Sequence, residues 1–151
     1  MDSETVDLRE IADDDRADWA ALWEGYLQFY GTILPAETYE ATFAALTDPS
    51  TAHVGGRLAL IGDTPVGLVH FFHHPHMWRP EGIVYLQDLF TLPEARGRGV
   101  ARRLIEAVYE QADAWDSPRV YWMTQETNYA GRMLYDRVGR QTGYIKYERA
   151  V

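Results

Sequence analysis

The chain has 151 residues, 46% hydrophobic and 25% charged, which suits one soluble domain over 1–151 with a substantial core. Its 14 basic and 23 acidic side chains give a net charge of −9, which argues against general nucleic-acid binding and suits a cationic partner. Having no cysteine excludes disulfides, thiolate-bound zinc and a cysteine nucleophile, and no apolar run reaches the ~18–20 residues of a membrane span.

The first ten residues, MDSETVDLRE, are acidic and lack the basic and apolar regions of a signal peptide, so the expected location is the cytoplasm. Thr5 to Ile11 alternates apolar and polar positions and predicts a first strand. Asp13, Asp14 and Asp15 supply a cap and negative charge for a helix from about Asp14 to Tyr30. Trp19, Leu22, Trp23, Tyr26, Leu27 and Tyr30 fall on one stripe of it, and Gly31 ends it. Pro35 opens a second helix to about Leu46, with Tyr39 and Phe43 on its apolar face, and Asp48-Pro49 stops it. Such aromatic stripes form core, and a Tyr hydroxyl at a pocket edge also suits an amine.

Residues 52–61 and 66–73 predict an antiparallel hairpin around Gly62-Asp63-Thr64-Pro65. His73 to Pro80 reads as a loop. His73, His74 and His76 have no adjacent carboxylate and are interrupted by Pro75, so no metal is expected there. Ile83 to Phe90 is an apolar run of strand formers, and Thr91 to Ala95 a turn. A helix opening at Arg96 runs to about Trp115, with Val100, Leu104, Ala107, Val108 and Ala112 facing inward. Arg119 to Thr124 predicts a strand, Asn128 to Val138 a short helix stopped by Gly139, and Thr142 to Arg149 a last strand. The order β-α-α-β-β-β-α-β-α-β predicts an α/β (α+β) fold, a central mixed sheet flanked by helices, with a parallel pair in its second half.

The chemistry concentrates in LQDLFTLPEARGRGVA, Leu86 to Ala101. A glycine-rich turn between strand and helix leaves backbone N–H groups unpaired at the positive end of the helix. Arg96, Arg98, Arg102 and Arg103 add charge, so the segment suits a phosphate or pyrophosphate. It is not a P-loop, which needs G-x-x-x-x-G-K-[ST], nor a Rossmann fingerprint, which needs a third glycine and a later acidic residue.

Arg96-x-x-Gly99-x-Ala101 resembles the [QR]-x-x-G-x-[GA] signature of the GNAT superfamily of acyl-CoA-dependent N-acetyltransferases. Asn128, followed by Leu134-Tyr135 and Gly139, is similar to a second pattern in that superfamily's last helix, and the element order matches over nearly the whole chain. Tyr85 to Phe90 looks like the fourth strand of the diamine acetyltransferases, with Gln87 where those enzymes usually have Glu. Tyr121 to Asn128 and Gly143 to Tyr147 resemble a yeast-type branch linked to histone, polyamine and amino-acid acetylation.

The resemblance implies direct transfer of acetyl from acetyl-CoA to a primary amine: a small cationic amine, an amino acid or a basic peptide. It implies that Arg96, Gly97, Arg98, Gly99, Val100 and Ala101 hold the pyrophosphate. The pantetheine arm would pair with Leu89, Phe90 and Thr91, and a backbone N–H at Leu89 or Phe90 would polarise the thioester carbonyl. Asn128 would hold the fifth-strand end or the pantetheine. Tyr135 matches the residue that protonates the departing thiolate. An alkylammonium titrates near ~10.4 and must lose a proton before attack; Asp88, alone and charged in an apolar strand, is the leading base, ahead of Glu126 and His73. Strand alternation puts Asp88 on one face with Leu86 and Phe90. The alternatives are a non-catalytic CoA-binding domain and an enzyme for longer acyl groups. A single C-terminal strand, where many relatives carry a hairpin, suits a homodimer in which a partner completes the sheet.

Overall fold

The computed structural model describes residues 5–151. Five strands form one sheet in the order β1 (Val6–Glu10), β2 (Val54–Ile61), β3 (Thr64–His76), β4 (Arg79–Thr91) and β5 (Val120–Tyr121). The first four form an antiparallel meander. β5 returns parallel to β4 after the crossover helix α3 (Val100–Ala114), as the order β-α-β requires.

Helices α1 (Arg16–Phe29) and α2 (Ala36–Thr47) cover one face of the sheet. Trp19, Leu22, Trp23, Leu27 and Phe43 pack there on Leu58, Leu60 and Leu68. The α3 helix covers the other face through Val100, Leu104, Ile105, Val108 and Ala112, with Leu134, Tyr135 and Val138 of α4 (Tyr129–Val138) against the same cluster. Ile105, not Ala107, completes the buried stripe of α3. Both faces are covered, which explains why β3 reads as a nearly continuous apolar run.

Several expectations are corrected. The His73–Pro80 segment is the tip of a long β-hairpin rather than a loop: β3 continues to His76 and β4 starts at Arg79. Each histidine serves the hairpin, since His73 Nε2 donates to the Glu81 carbonyl, His74 bonds Tyr121 Oη at 2.8 Å, and His76 Nδ1 accepts from Trp78 N–H. The helix expected from Arg96 begins at Val100, because Pro93–Ala95 form a 3₁₀ turn and Gly97 and Gly99 hold φ of +80° and +77°. Asp15 does not bond the amides of α1. Its carboxylate takes both guanidinium nitrogens of Arg9, at 2.5 and 2.6 Å, and the Ala12 N–H.

The last strand, expected at Thr142–Arg149, is not formed. The segment carries no ladder to any described strand and is exposed throughout, with Tyr144, Ile145 and Tyr147 open to solvent. An alternating pattern becomes a strand only beside a partner edge, and β5 offers two residues.

Candidate active site

The site lies where β4 and β5 separate. They pair only at Val84 with Val120 and Tyr85 with Tyr121, where the two tyrosine rings stack 4.7 Å apart. Beyond them β4 continues from Leu86 to Thr91 with no β5 residue opposite. Its β3 edge remains paired through that stretch, at Leu89 with Val69, Phe90 with Leu68 and Thr91 with Gly67. A ladder uses the backbone groups of alternate residues on each edge, so the other edge of β4 presents N–H and C=O groups to the gap. Thr91 turns its hydroxyl inward, where it is buried without a partner among the described residues.

β4 is irregular at one point. His70 pairs with Asp88 and Phe71 with Leu86, so Gln87 is an extra, bulged residue. The bulge reverses the alternation, correcting the expected shared face of Leu86 and Asp88. Leu86 points into the core under α3, whereas Asp88 points under α1 with Phe90. Gln87 itself is exposed. Re-aiming a strand side chain is a common use of a bulge beside an active site.

Asp88 is 6% exposed and held by hydrogen bonds to two partners, one from β3 and one from α1. Its Oδ2 bonds His70 Nδ1 at 2.8 Å and accepts from Trp23 Nε1 at 3.2 Å. His70 Nε2 lies 2.9 Å from Trp19 Nε1. Trp19 and Trp23 sit one turn apart on α1 with stacked rings, which brings both indole N–H groups to the same strand pair. Burial, and secondarily the Asp88 charge, raise the hydroxyls of Tyr26 and Tyr30 on the same helix above the ordinary tyrosine range.

Two spaces flank the bulge. A cavity of about 290 Å³ between α2 and the sheet is bordered by Trp23, Phe72, His70, Gln87 and Asp88. A narrow cleft of about 20 Å³ on the β5 side is bordered by Tyr26, Tyr30, Gln87, Trp122 and Tyr135. Gln87 lines both. The first is near the lower end of small-molecule pockets, roughly 300 Å³, and the second is about the size of one water. Tyr135 packs edge-on against Trp122, and burial raises its hydroxyl above the ordinary range, so it is protonated near neutrality.

The glycine turn forms a cradle at the start of α3. Gly97 and Gly99 adopt left-handed backbone, and beyond their chain neighbours nothing lies within 4 Å of where a Cβ would stand at either. The first intrahelical bond is Arg103 N–H to the Gly99 carbonyl, so the amides of Val100, Ala101 and Arg102 lack helical acceptors. Arg96 and Arg98 are exposed on the turn. Arg102 and Arg103 do not reinforce it: Arg102 pairs with Glu106 at 3.1 Å, and Arg103 donates to the Val6 carbonyl. Asn128 caps α4 by accepting from Gly131 N–H, and its amide donates to Thr124 Oγ1, tying the chain after β5 to that helix.

The structure thus sets Asp88 and Tyr135 in two spaces on either side of the Gln87 bulge, beside the open edge of β4. It does not bring the weaker base candidates there. Glu126 is exposed beyond β5, and His73 packs with His53 and Trp115. Sequence reasoning missed His70, Trp19 and Trp23 as a polar group. The available signal was a lone histidine inside the otherwise apolar run Val66 to Phe72.

A family model described as "Acetyltransferase (GNAT) family" matches residues 18–139. The D-amino-acid N-acetyltransferase HPA3 of Saccharomyces cerevisiae (strain ATCC 204508 / S288c) is 36% identical over 151 residues, covering 99% of this chain and 93% of that protein. A thialysine N-epsilon-acetyltransferase of Caenorhabditis elegans is 31% identical over 85 residues, 56% of this chain and 52% of that one. Among solved structures, the aminoglycoside acetyltransferase AAC(6')-Iy in complex with a CoA bisubstrate analogue superposes with a TM-score of 0.85 at 18% identity, covering 97% of this chain and 99% of that one. A ribosomal-protein-alanine N-acetyltransferase from Brucella melitensis biovar Abortus 2308 gives 0.79 at 18% identity over 97% and 99%. With a family match over most of its length and a relative spanning nearly all of it, the chain belongs to the GNAT family and is an acetyltransferase.

Proposed function

We propose that the chain acts as one catalytic domain that moves the acetyl group of acetyl-CoA directly to the primary amine of a small cationic molecule or amino acid. The observation that carries this reading is the convergence of an anion cradle, an open strand edge and two oppositely suited groups, Asp88 and Tyr135, around the Gln87 bulge. Gly97 to Ala101 supply N–H groups for the pyrophosphate, and Arg96 and Arg98 supply charge. Leu89 to Thr91 pair with the pantetheine arm, and an N–H of Leu89 or Phe90 binds the oxygen that gains charge at the thioester carbonyl. Asn128 steadies the β5 side of the cleft. The thioester supplies the activated acetyl group.

Asp88 receives the ammonium at the 290 Å³ cavity and takes its proton. The amine nitrogen then forms the new C–N bond as the C–S bond breaks, and loses its second proton to solvent as the amide forms. Tyr135 gives its hydroxyl proton to the departing sulfur and is reprotonated from solvent. The lining of the cavity supports a cationic acceptor of modest size: it carries the Asp88 carboxylate and aromatic faces. The named relative acts on D-amino acids, which keeps amino acids among the candidates.

Two further readings complete the proposal. The protein works in the cytoplasm; no helix among the described residues is long and apolar enough to cross a membrane. It also pairs as a homodimer through the exposed segment after Gly139, whose Tyr144, Ile145 and Tyr147 suit burial against a second copy.

Release of free thiol from acetyl-CoA, measured across a panel of primary amines and amino acids, tests the activity. The expected result is amine-dependent release with at least one small cationic acceptor. Tight CoA binding with no release for any amine would contradict it and favour a non-catalytic CoA-binding domain.

A further inference from the structure

We infer that His70, backed by Trp19, is a positioning residue for the acetyl transfer: it holds Asp88 in a single orientation and does not relay the proton that Asp88 takes. The inference rests on the acceptor-binding role given to Asp88 above. It starts from the direction of three hydrogen bonds. An indole N–H can only donate, so at the 2.9 Å contact with Trp19 the His70 Nε2 must accept. A neutral imidazole carries one proton, which is then on Nδ1. That N–H faces Asp88 Oδ2 at 2.8 Å, where the carboxylate accepts. Trp23 donates to the same Oδ2 at 3.2 Å.

Only this arrangement satisfies every group. The other imidazole tautomer would set an Nε2–H against the Trp19 N–H, and a bare Nδ1 against the carboxylate lone pairs. His70 is 7% exposed and Trp19 fully buried, so neither mismatch can be repaired by water without opening the core. Two donors on Oδ2 fix the carboxylate plane and leave Oδ1 as the oxygen that neither bond uses.

The same wiring rules out a relay. To pass onward the proton that Asp88 gains, His70 would have to take it at Nδ1, which already carries one, and release another from Nε2, which carries none and faces the Trp19 N–H donor. Protonating Nε2 instead would break the Trp19 bond. The proton that Asp88 takes from the amine must leave by the cavity side, where Gln87 is exposed and Asp88 meets the solvent-connected space.

The test joins one spectroscopic readout with two substitutions. In ¹⁵N NMR of the wild-type protein at pH 8, the resonance pair lost in His70→Gln should show a protonated Nδ1 and a bare Nε2. Glutamine can itself donate from its amide and accept on its oxygen, so His70→Gln should keep kcat within about threefold of wild type, whereas His70→Leu should lower kcat by roughly one to two orders of magnitude. Trp19→Phe, which keeps an aromatic ring and removes only the N–H, should release the tautomer preference and lower kcat in the same direction, and it covers the case in which His70→Leu does not fold. An Nε2–H tautomer in the wild type, or a His70→Gln variant as inactive as His70→Leu, would overturn the positioning role. Full activity of Asp88→Asn would instead remove the reading of Asp88 on which it rests. That outcome is distinguishable because the wild-type tautomer would still be the one inferred.

Discussion

At the scale of single residues, the account turns on Asp88 and Tyr135, which face the same bulge from opposite sides. If Asp88 accepts the proton of the ammonium, Asp88→Asn lowers kcat/KM near neutrality by roughly 10²–10⁴. The deficit should shrink as pH rises toward ~10.4, where the amine deprotonates without help. A pH series of kcat/KM for both proteins checks this, and a constant deficit across the range would count against the base role. Both residues were legible from sequence: a charge inside an apolar strand needs a reason, and Tyr135 fell on a motif position. His70 was not. Its function depends on two tryptophans more than 45 residues away in the chain, |i−j| of 51 for Trp19 and a further 18 to Asp88, and no local pattern announces such a contact.

At the scale of elements, the core strands and helices followed their periodicities, the segment Thr142 to Arg149 excepted, because a strand under two covered faces and a helix with one apolar stripe leave plain signatures. The bulge at Gln87 left none. It is a property of how two strands register, and the residues around it carry no glycine or proline. The hairpin tip at Met77-Trp78 was hidden for a similar reason, since Pro75 suggested a break and instead sits at a register irregularity in β3. Two predictions belong here. Gly99, at φ +77° as the N-cap of α3, tolerates a side chain in space but not in backbone conformation. Gly99→Ala should cost about 1–2 kcal/mol in urea unfolding and weaken CoA binding, read by calorimetric titration. Loss of neither would contradict the cradle geometry.

The second concerns the ion pair between β1 and the start of α1. The Arg9 guanidinium bonded to Asp15 holds that carboxyl below its usual range. A carboxyl lowered in the folded state contributes stability that is present above its ordinary value of about 3.9 and is lost as pH falls through the lowered one. Asp15→Asn should therefore be less stable than wild type at pH 7, with the gap narrowing below about pH 4. Urea unfolding at the two pH values measures it.

At the scale of the whole molecule, the sheet ends on the β5 side in a strand of two residues, and the chain continues past α4 as an exposed segment with neither helix nor strand. The alternation of Thr142 to Arg149 predicts a strand, and Lys146 and Glu148, two residues apart, pair at 3.4 Å. What the pattern could not contain is the partner edge. If a second copy supplies it, light scattering should give the mass of a dimer, and a chain ending at Arg140 should be monomeric. A wild-type monomer at micromolar concentration would contradict that arrangement.

Free-thiol release in wild type and Tyr135→Phe at saturating acetyl-CoA, with CoA affinity measured alongside, decides whether Tyr135 is the acid in acetyl transfer from CoA. Burial keeps the Tyr135 hydroxyl protonated beyond the ordinary tyrosine range of about 10, so the wild-type acid should persist through neutral pH. The account predicts that removing this hydroxyl lowers kcat by roughly 10²–10⁴ while CoA still binds. A variant that releases thiol at the wild-type rate would contradict it.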